Sequence, residues 1–267
     1  MKKFTAILLV FILALGVLSG CAKDSKQIVV GASPVPHSEI LLQVKEELAA
    51  QGYELVIKEF TDYVQPNLTL ENGELDANFF QHQPYLDDFN ANNDTSIVAL
   101  ASIHYEPLGL YPGKTASLKS LEDGAVIAVP NDTTNEARAL LLLESIGLIK
   151  INPSAGLLAT VNDITENPKN IKIQELESAQ IARSLPDVDF AVINGNYAIE
   201  AGLNAAADAV AKEEKDSLAA ETFANILAIR AGDEGREDLK ALVAALKSDK
   251  VRAFIEETYQ GAVVPTF

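Results

Sequence analysis

Two kinds of hydrophobic pattern alternate along this chain, and that alternation restricts the fold more than any other feature. Residues 27–31 (Gln-Ile-Val-Val-Gly) read as a strand. A helix follows from an N-cap at Ser38, with Ile40, Leu41, Val44 and Leu48 on one face and a stop near Gly52. Residues 53–60 alternate as a second strand, 66–71 form a short helix, 75–80 a third strand, and Pro84 opens another helix. Such a succession predicts a parallel sheet with helices on its faces. The pattern resumes with a strand at 125–129, stopped by Pro130, and a helix capped by Asn131 that runs to Ile146 before Gly147 ends it. An Asn-, Pro- and Thr-rich connection occupies 150–170. Strands at 171–176 and 188–193 follow, then Ala-rich helical material at 195–211, a strong strand at 222–230, and closing helices at 234–247 and 249–259. Two successive α/β units predict two lobes and a cleft: 27–108 plus 227–267 as lobe 1, and 109–226 as lobe 2.

The segment ahead of the first strand predicts a destination. Lys2 and Lys3 precede an apolar run over 6–18. That run is too short for the roughly 20 helical residues that span a bilayer and fits a secretory signal. It ends in Leu18-Ser19-Gly20-Cys21, and Cys21 is the only cysteine in the chain. A single cysteine excludes a disulfide framework and a four-thiolate metal site. The arrangement resembles a bacterial lipobox. Residues 1–20 are then a signal peptide, Cys21 the lipidated N-terminus, and 21–26 a tether. One acyl chain anchors only marginally, so the resemblance implies several. With 38 acidic against 21 basic residues the net charge is −17, which repels phosphate backbones, and no nucleic-acid partner is expected.

In open α/β sheets, ligands bind beyond the carboxyl ends of the strands. There the sequence places Phe79, Phe80, Gln81 and His82, then Asn131 and Arg138, then Asn194. Arg138 leans back toward the first turn of its helix, where guanidinium and free backbone N–H groups could share an anion. The alternative is a solvated charge, or a salt bridge to Glu136 or Glu144. Asn225 interrupts an apolar strand, and an unpartnered buried amide costs about 1–3 kcal/mol, so it either bonds backbone or faces a polar ligand. Asn194 reads equally as a turn residue. Eight aromatic residues fall between Phe60 and Tyr111, with His82 and His104 among them. Phe60 and Phe89 read as core. Tyr63, Phe80 and His82 could wall a pocket suited to an apolar or thioether side chain. His37, beside Pro36, reads as a loop residue. No G-x-S-x-G, P-loop, H-E-x-x-H or EF-hand pattern is present, and the histidine spacings match no short metal motif.

Several segments carry a family resemblance. They are Asp62-Tyr63-Val64-Gln65-Pro66-Asn67, 76–86 (with Phe79-Phe80-Gln81-His82-Gln83-Pro84-Tyr85), Glu106-Pro107-Leu108-Gly109-Leu110-Tyr111, Val129-Pro130-Asn131-Asp132-Thr133-Thr134-Asn135, Glu166-Asn167-Pro168-Lys169-Asn170 and Ala191-Val192-Ile193-Asn194. In this order they resemble the NlpA lipoprotein family, whose best-known members are methionine-binding lipoproteins of ABC importers. The resemblance implies an α/β, type II periplasmic-binding-protein-like fold whose two lobes close on a free amino acid, L-methionine first. It implies Arg138 on the ligand carboxylate helped by Asn194, and Asn225 on the polar end of the zwitterion. Tyr63, Phe80, His82, His104 and Tyr105 would lie around the side chain. It further implies a permease and ATPase as partners, a lipid-anchored monomer outside the cytoplasm, and no catalytic residue, cofactor or metal. D-methionine, a methionine-containing dipeptide or another small amino acid are alternative ligands. Two rivals stay open: a metallohydrolase using His82, His104 and an acid, and a surface sensor of the same fold.

Overall fold

The computed structural model describes residues 26–214 and 218–267, so the expected signal peptide, Cys21 and the tether up to residue 25 lie outside the described residues. The strands in chain order are β1 (Lys26–Ala32), β2 (Tyr53–Glu59), β3 (Ala77–His82), β4 (Ile97–Tyr105), β5 (Gly109–Pro112), β6 (Val126–Pro130), β7 (Lys150–Ile151), β8 (Ile164–Glu166), β9 (Lys172–Leu176), β10 (Phe190–Ile193), β11 (Ala211–Lys212), β12 (Ala224–Arg230) and β13 (Val264–Pro265). They form a six-stranded sheet ordered β13-β4-β12-β3-β1-β2 and a five-stranded sheet ordered β11-β5-β10-β6-β9; β7 and β8 pair separately.

Neither large sheet is wholly parallel. In the first, β1 pairs parallel with β2 and β3, but β12 enters antiparallel between β3 and β4. In the second, β6 pairs parallel with β9 and β10, while β5 runs antiparallel along β10. The α/β alternation foretells the parallel halves. The antiparallel strands β4, β5 and β12 make the two crossings between sheets, and no helix precedes β5 to signal a parallel return. The first sheet regains the chain at Ala224, ahead of the expected 227.

Each half has its own core. Ile28, Val30, Leu55, Phe79, Ile103, Leu227 and Ile229 of the first sheet pack with Leu41, Leu48, Leu242 and Leu246 of its helices. Ile127, Val129, Phe190 and Val192 of the second pack with Ala137, Leu140 and Leu143 of the helix Thr133–Ser145. At about 1.5–3 kcal/mol for each large apolar side chain fully buried, these two clusters drive the folding of their halves. That helix is capped by Asp132, whose carboxylate accepts from the Asn135 amide, and not by Asn131. The expected first helix is broken into Glu39–Leu42 and Lys45–Ala50, and the expected helical material at 195–211 is confined to Gly195–Glu200. No helix among the described residues is long and apolar enough to cross a membrane.

Candidate functional site

The strand ends of both sheets converge. β3 ends at His82, β4 leads into Glu106, β10 into Asn194, and the second residue of β12 is Asn225, which lies between His82 of β3 and His104 of β4 in the register. The helix after β6 contributes Asn135 from its first turn. Together these ends line one small cavity.

One wall is aromatic. The Tyr63, Phe80 and Tyr85 rings lie 5.7–6.1 Å apart between centroids, with Tyr197 5.1 Å behind Tyr63. Tyr85 Oη holds the carbonyl of Tyr63 at 3.0 Å, fixing the loop that carries the first ring. The Tyr63 hydroxyl donates to Asn196 Oδ1 at 2.5 Å, and His82 Nε2 meets Asn135 Oδ1 at 3.2 Å, so the halves are hydrogen-bonded across the cavity. Burial pushes the hydroxyls of Tyr63 and Tyr85 far above the ordinary tyrosine value, and both stay neutral donors.

The facing wall is polar, made by Glu106, Asn135, Asn194, Asn196 and Asn225. Asn194 donates through Nδ2 to Asn135 Oδ1 at 2.8 Å, and Asn135 donates to Asp132 Oδ1 at 2.8 Å. Beneath Glu106 lie His37 and His104, whose Nε2 atoms approach Glu106 Oε1 at 3.4 and 2.7 Å. His37 is buried and bonds Ser33 Oγ at 2.6 Å; it is a core residue of the first half, where the sequence suggested a loop. Burial lowers His37 to about 4, and His82 and His104 to about 3, so all three imidazoles are neutral near pH 7. Burial raises the Glu106 carboxyl above its ordinary value.

Five of the eight sequence-predicted site residues line the cavity: Tyr63, Phe80, His82, Asn194 and Asn225. The other three are buried behind the wall. Arg138 donates through Nε and Nη2 to the two oxygens of Glu213, at 2.8 and 2.5 Å, and through Nη2 to the carbonyl of Glu106 at 3.0 Å. The guanidinium thus already holds an internal carboxylate, and its partner is neither Glu136 nor Glu144. Those two accept the backbone amides of Val161 and Ile151 instead. Tyr105 donates to Glu213 at 2.6 Å, and His104 lies under Glu106.

Sequence reasoning missed Tyr85, Glu106, Asn135 and Asn196 as cavity residues, while Gln81, which it placed at the end of the third strand, lines the cavity. Tyr85 and Asn135 were signalled: each lies in the first turn of a helix that follows a cavity-facing strand. Among the described residues one group could hold a metal ion: His37, His104 and Glu106, with ligand atoms within 4.8 Å of one another. His82 is outside it. Its Nδ1 is spent on the Tyr85 amide and its Nε2 on Asn135, which leaves no nitrogen for the site in the hydrolase alternative.

Comparison with known proteins places these features in a lineage. The methionine-binding lipoprotein MetQ of Bacillus subtilis is 39% identical over 97% of this chain and 96% of its own length. A nutrient binding protein from Burkholderia cenocepacia, solved bound to methionine, is 46% identical and superposes with a TM-score of 0.85 over 90% of this chain and all of its own. An ABC transporter periplasmic substrate-binding protein from Coxiella burnetii is 41% identical with a TM-score of 0.84, again over 90% of this chain and all of its own. Residues 28–267 match the family model of the NlpA lipoprotein, and this chain belongs to that family.

Proposed function

We propose that this protein is the substrate-binding lipoprotein of an ABC importer and that it binds free methionine, L-methionine first, between its two halves. The observation that carries this is the division of one small cavity into an aromatic wall (Tyr63, Phe80, Tyr85) and a polar wall (Glu106, Asn194, Asn196, Asn225). Ring faces favour a thioether by about 0.3–1.5 kcal/mol per contact, and a buried polar wall favours a ligand with a charged end. The names of the relatives support the choice. In this role the ligand is captured, enclosed and handed to a permease whose ATPase supplies the energy, with no bond made or broken on it. Export and acylation at Cys21 would hold the protein at a membrane as a monomer.

Mass spectrometry of the small molecules released from the purified protein, followed by calorimetry with L-methionine, D-methionine and a methionine dipeptide, tests the proposal. L-methionine is expected among the released molecules and is expected to bind tightest. Binding of none of the three would overturn it.

A further inference from the structure

His104 and Glu106 stand two residues apart where β4 ends, so both side chains leave the chain on one face. His37 comes to that face from the segment Pro34–Ser38, which follows β1. Phe79 of β3 sets both rings, meeting His37 edge-on at 4.6 Å and His104 at 5.2 Å between centroids. Ser33 Oγ, 2.6 Å from His37 Nδ1, fixes the first ring further. A nitrogen of His37, a nitrogen of His104 and an oxygen of Glu106 thereby lie within 4.8 Å of one another. The three residues are 1%, 0% and 5% exposed. Only Glu106 of the three lines the cavity, so the cluster lies behind the wall with one carboxylate opening onto it as a path for an ion.

Charge and spacing both point to a divalent cation. The Glu106 side chain is a buried acid resting on two uncharged rings, while the nearby guanidinium of Arg138 is paired with Glu213. A buried carboxylate needs a counter-charge, and no member of the cluster supplies one. Ligands held at about 2.0–2.1 Å in a tetrahedron stand about 3.3 Å apart. His37 Nε2 and Glu106 Oε1 are 3.4 Å apart already. The 2.7 Å between His104 Nε2 and the same oxygen has to open by only about 0.6 Å to match. Asn225 Oδ1, 3.0 Å from His37 Nε2, offers a fourth oxygen. Two imidazoles and a carboxylate are a donor set for zinc, whereas magnesium and calcium take oxygen ligands.

The ring protons can give way. Without a metal each Nε2 donates to Glu106; with one, the proton of each neutral ring moves to Nδ1. The Ser33 hydroxyl serves His37 in both states, donating to Nδ1 in the first and accepting from it in the second. His104 Nδ1 is buried with no hydrogen-bond partner among the described residues. The second imidazole therefore lacks the outer support of a tight site, and moderate affinity is expected.

We propose that His37, His104 and Glu106 form a zinc site behind the cavity wall, with Asn225 Oδ1 as the fourth ligand. The ion would tie the end of β4 to β12 and to the segment after β1. The proposal departs from the absence of a metal implied by the family resemblance. It involves no reaction and does not rest on which amino acid the cavity takes.

The test is zinc titration of the purified full chain by calorimetry after chelator treatment, with cobalt(II) as a visible-light probe of coordination. Wild type, Ser33→Ala and His37→Gln are compared. The wild type is expected to bind one zinc and to give the intense absorption of four-coordinate cobalt. Loss of an outer partner costs about 10–100-fold in affinity, so Ser33→Ala should weaken zinc by that factor. His37→Gln removes a ligand and should weaken it by roughly 100-fold or more. No zinc binding by the wild type, or the weak spectrum of six-coordinate cobalt, would overturn the site. Zinc affinity unchanged in folded His37→Gln would overturn it too, by placing the ion on surface carboxylates. Circular dichroism establishes folding; if His37→Gln does not fold, Ser33→Ala decides, and unchanged affinity there overturns the site. No methionine enters the experiment, so its outcome is separate from that of the ligand proposal.

Discussion

Glu106 and Glu213 both lie in the neighbourhood of Arg138, both are buried, and the protein treats them in opposite ways. Glu213 receives two bonds from the guanidinium, one from the Tyr105 hydroxyl and one from the Leu108 amide. Burial works against its charge, but Arg138 outweighs that and holds its carboxyl below the ordinary range. Glu106 has only its backbone carbonyl on Arg138, and its side chain accepts the Asn196 backbone amide and rests on two uncharged imidazoles. Burial dominates there and raises its carboxyl. The chain completes one charge pair during folding and leaves the other carboxylate on the cavity wall. Membership of the pair decides which acid is architecture and which is available to a ligand.

The largest effect is expected from breaking the finished pair. Glu213→Ala leaves Arg138 buried without a counter-charge and should cost about 3–5 kcal/mol of stability, measured by urea unfolding. The double change Arg138→Met with Glu213→Leu should recover most of that loss, because a well-packed apolar replacement of a buried pair is often neutral or better. A loss under about 1 kcal/mol for Glu213→Ala would place the two acids in one class after all.

A middle effect is expected from pH. A carboxyl raised in the folded state stabilises fully below its unfolded value of 4.5, and that contribution is lost as pH rises through the folded value. The wild type should therefore lose stability relative to Glu106→Gln as pH climbs from 4.5, in urea melts without ligand. Methionine affinity should move the other way, rising with pH as Glu106 ionises, and should be flat in Glu106→Gln. Of the groups facing Glu106, His37 at about 4 and His104 at about 3 titrate lower, while Arg138 and Tyr63 keep their charge states throughout. A wild-type affinity that does not change as pH rises above 4.5 would show that Glu106 does not bear on the ligand.

The smallest effect belongs to the aromatic wall. Tyr63→Phe removes one hydrogen bond between the halves, to Asn196, and keeps the ring. A net hydrogen bond contributes about 0.5–1.5 kcal/mol, so affinity should fall only a few-fold by calorimetry. A hundredfold loss would move the burden of binding from the polar wall to this contact.

What the sequence made legible follows from the range of each interaction. Phe80 and His82 lie in the closing residues of β3 and Asn194 directly after β10, and the strand-end rule finds them because it needs only local pattern. The parallel core of each sheet is legible for the same reason. Glu213 was not: it lies in the charged stretch 212–216, which reads as solvated surface, and its partner Arg138 is 75 residues away. Glu106 was quoted as part of a motif but not as a site residue, since an acid before proline carries no mark of burial. His37 shows the same limit. Its place ahead of the first helix is visible in the sequence, whereas the 188 residues separating it from Asn225 are closed only by the antiparallel entry of β12.

The position of Glu213 also bears on how the two halves are joined. The chain passes between the sheets twice, once after β4 and once on the way to β12, and Glu213 fastens both passages to the helix of the second half. It grips Tyr105 and Leu108 on the first passage and Arg138 on the helix, while Phe223, at the far end of the second passage, lies with its ring 4.3 Å from the same guanidinium. One buried pair thus ties both connections between the sheets to the second half, in addition to the Tyr63–Asn196 and His82–Asn135 bonds across the cavity.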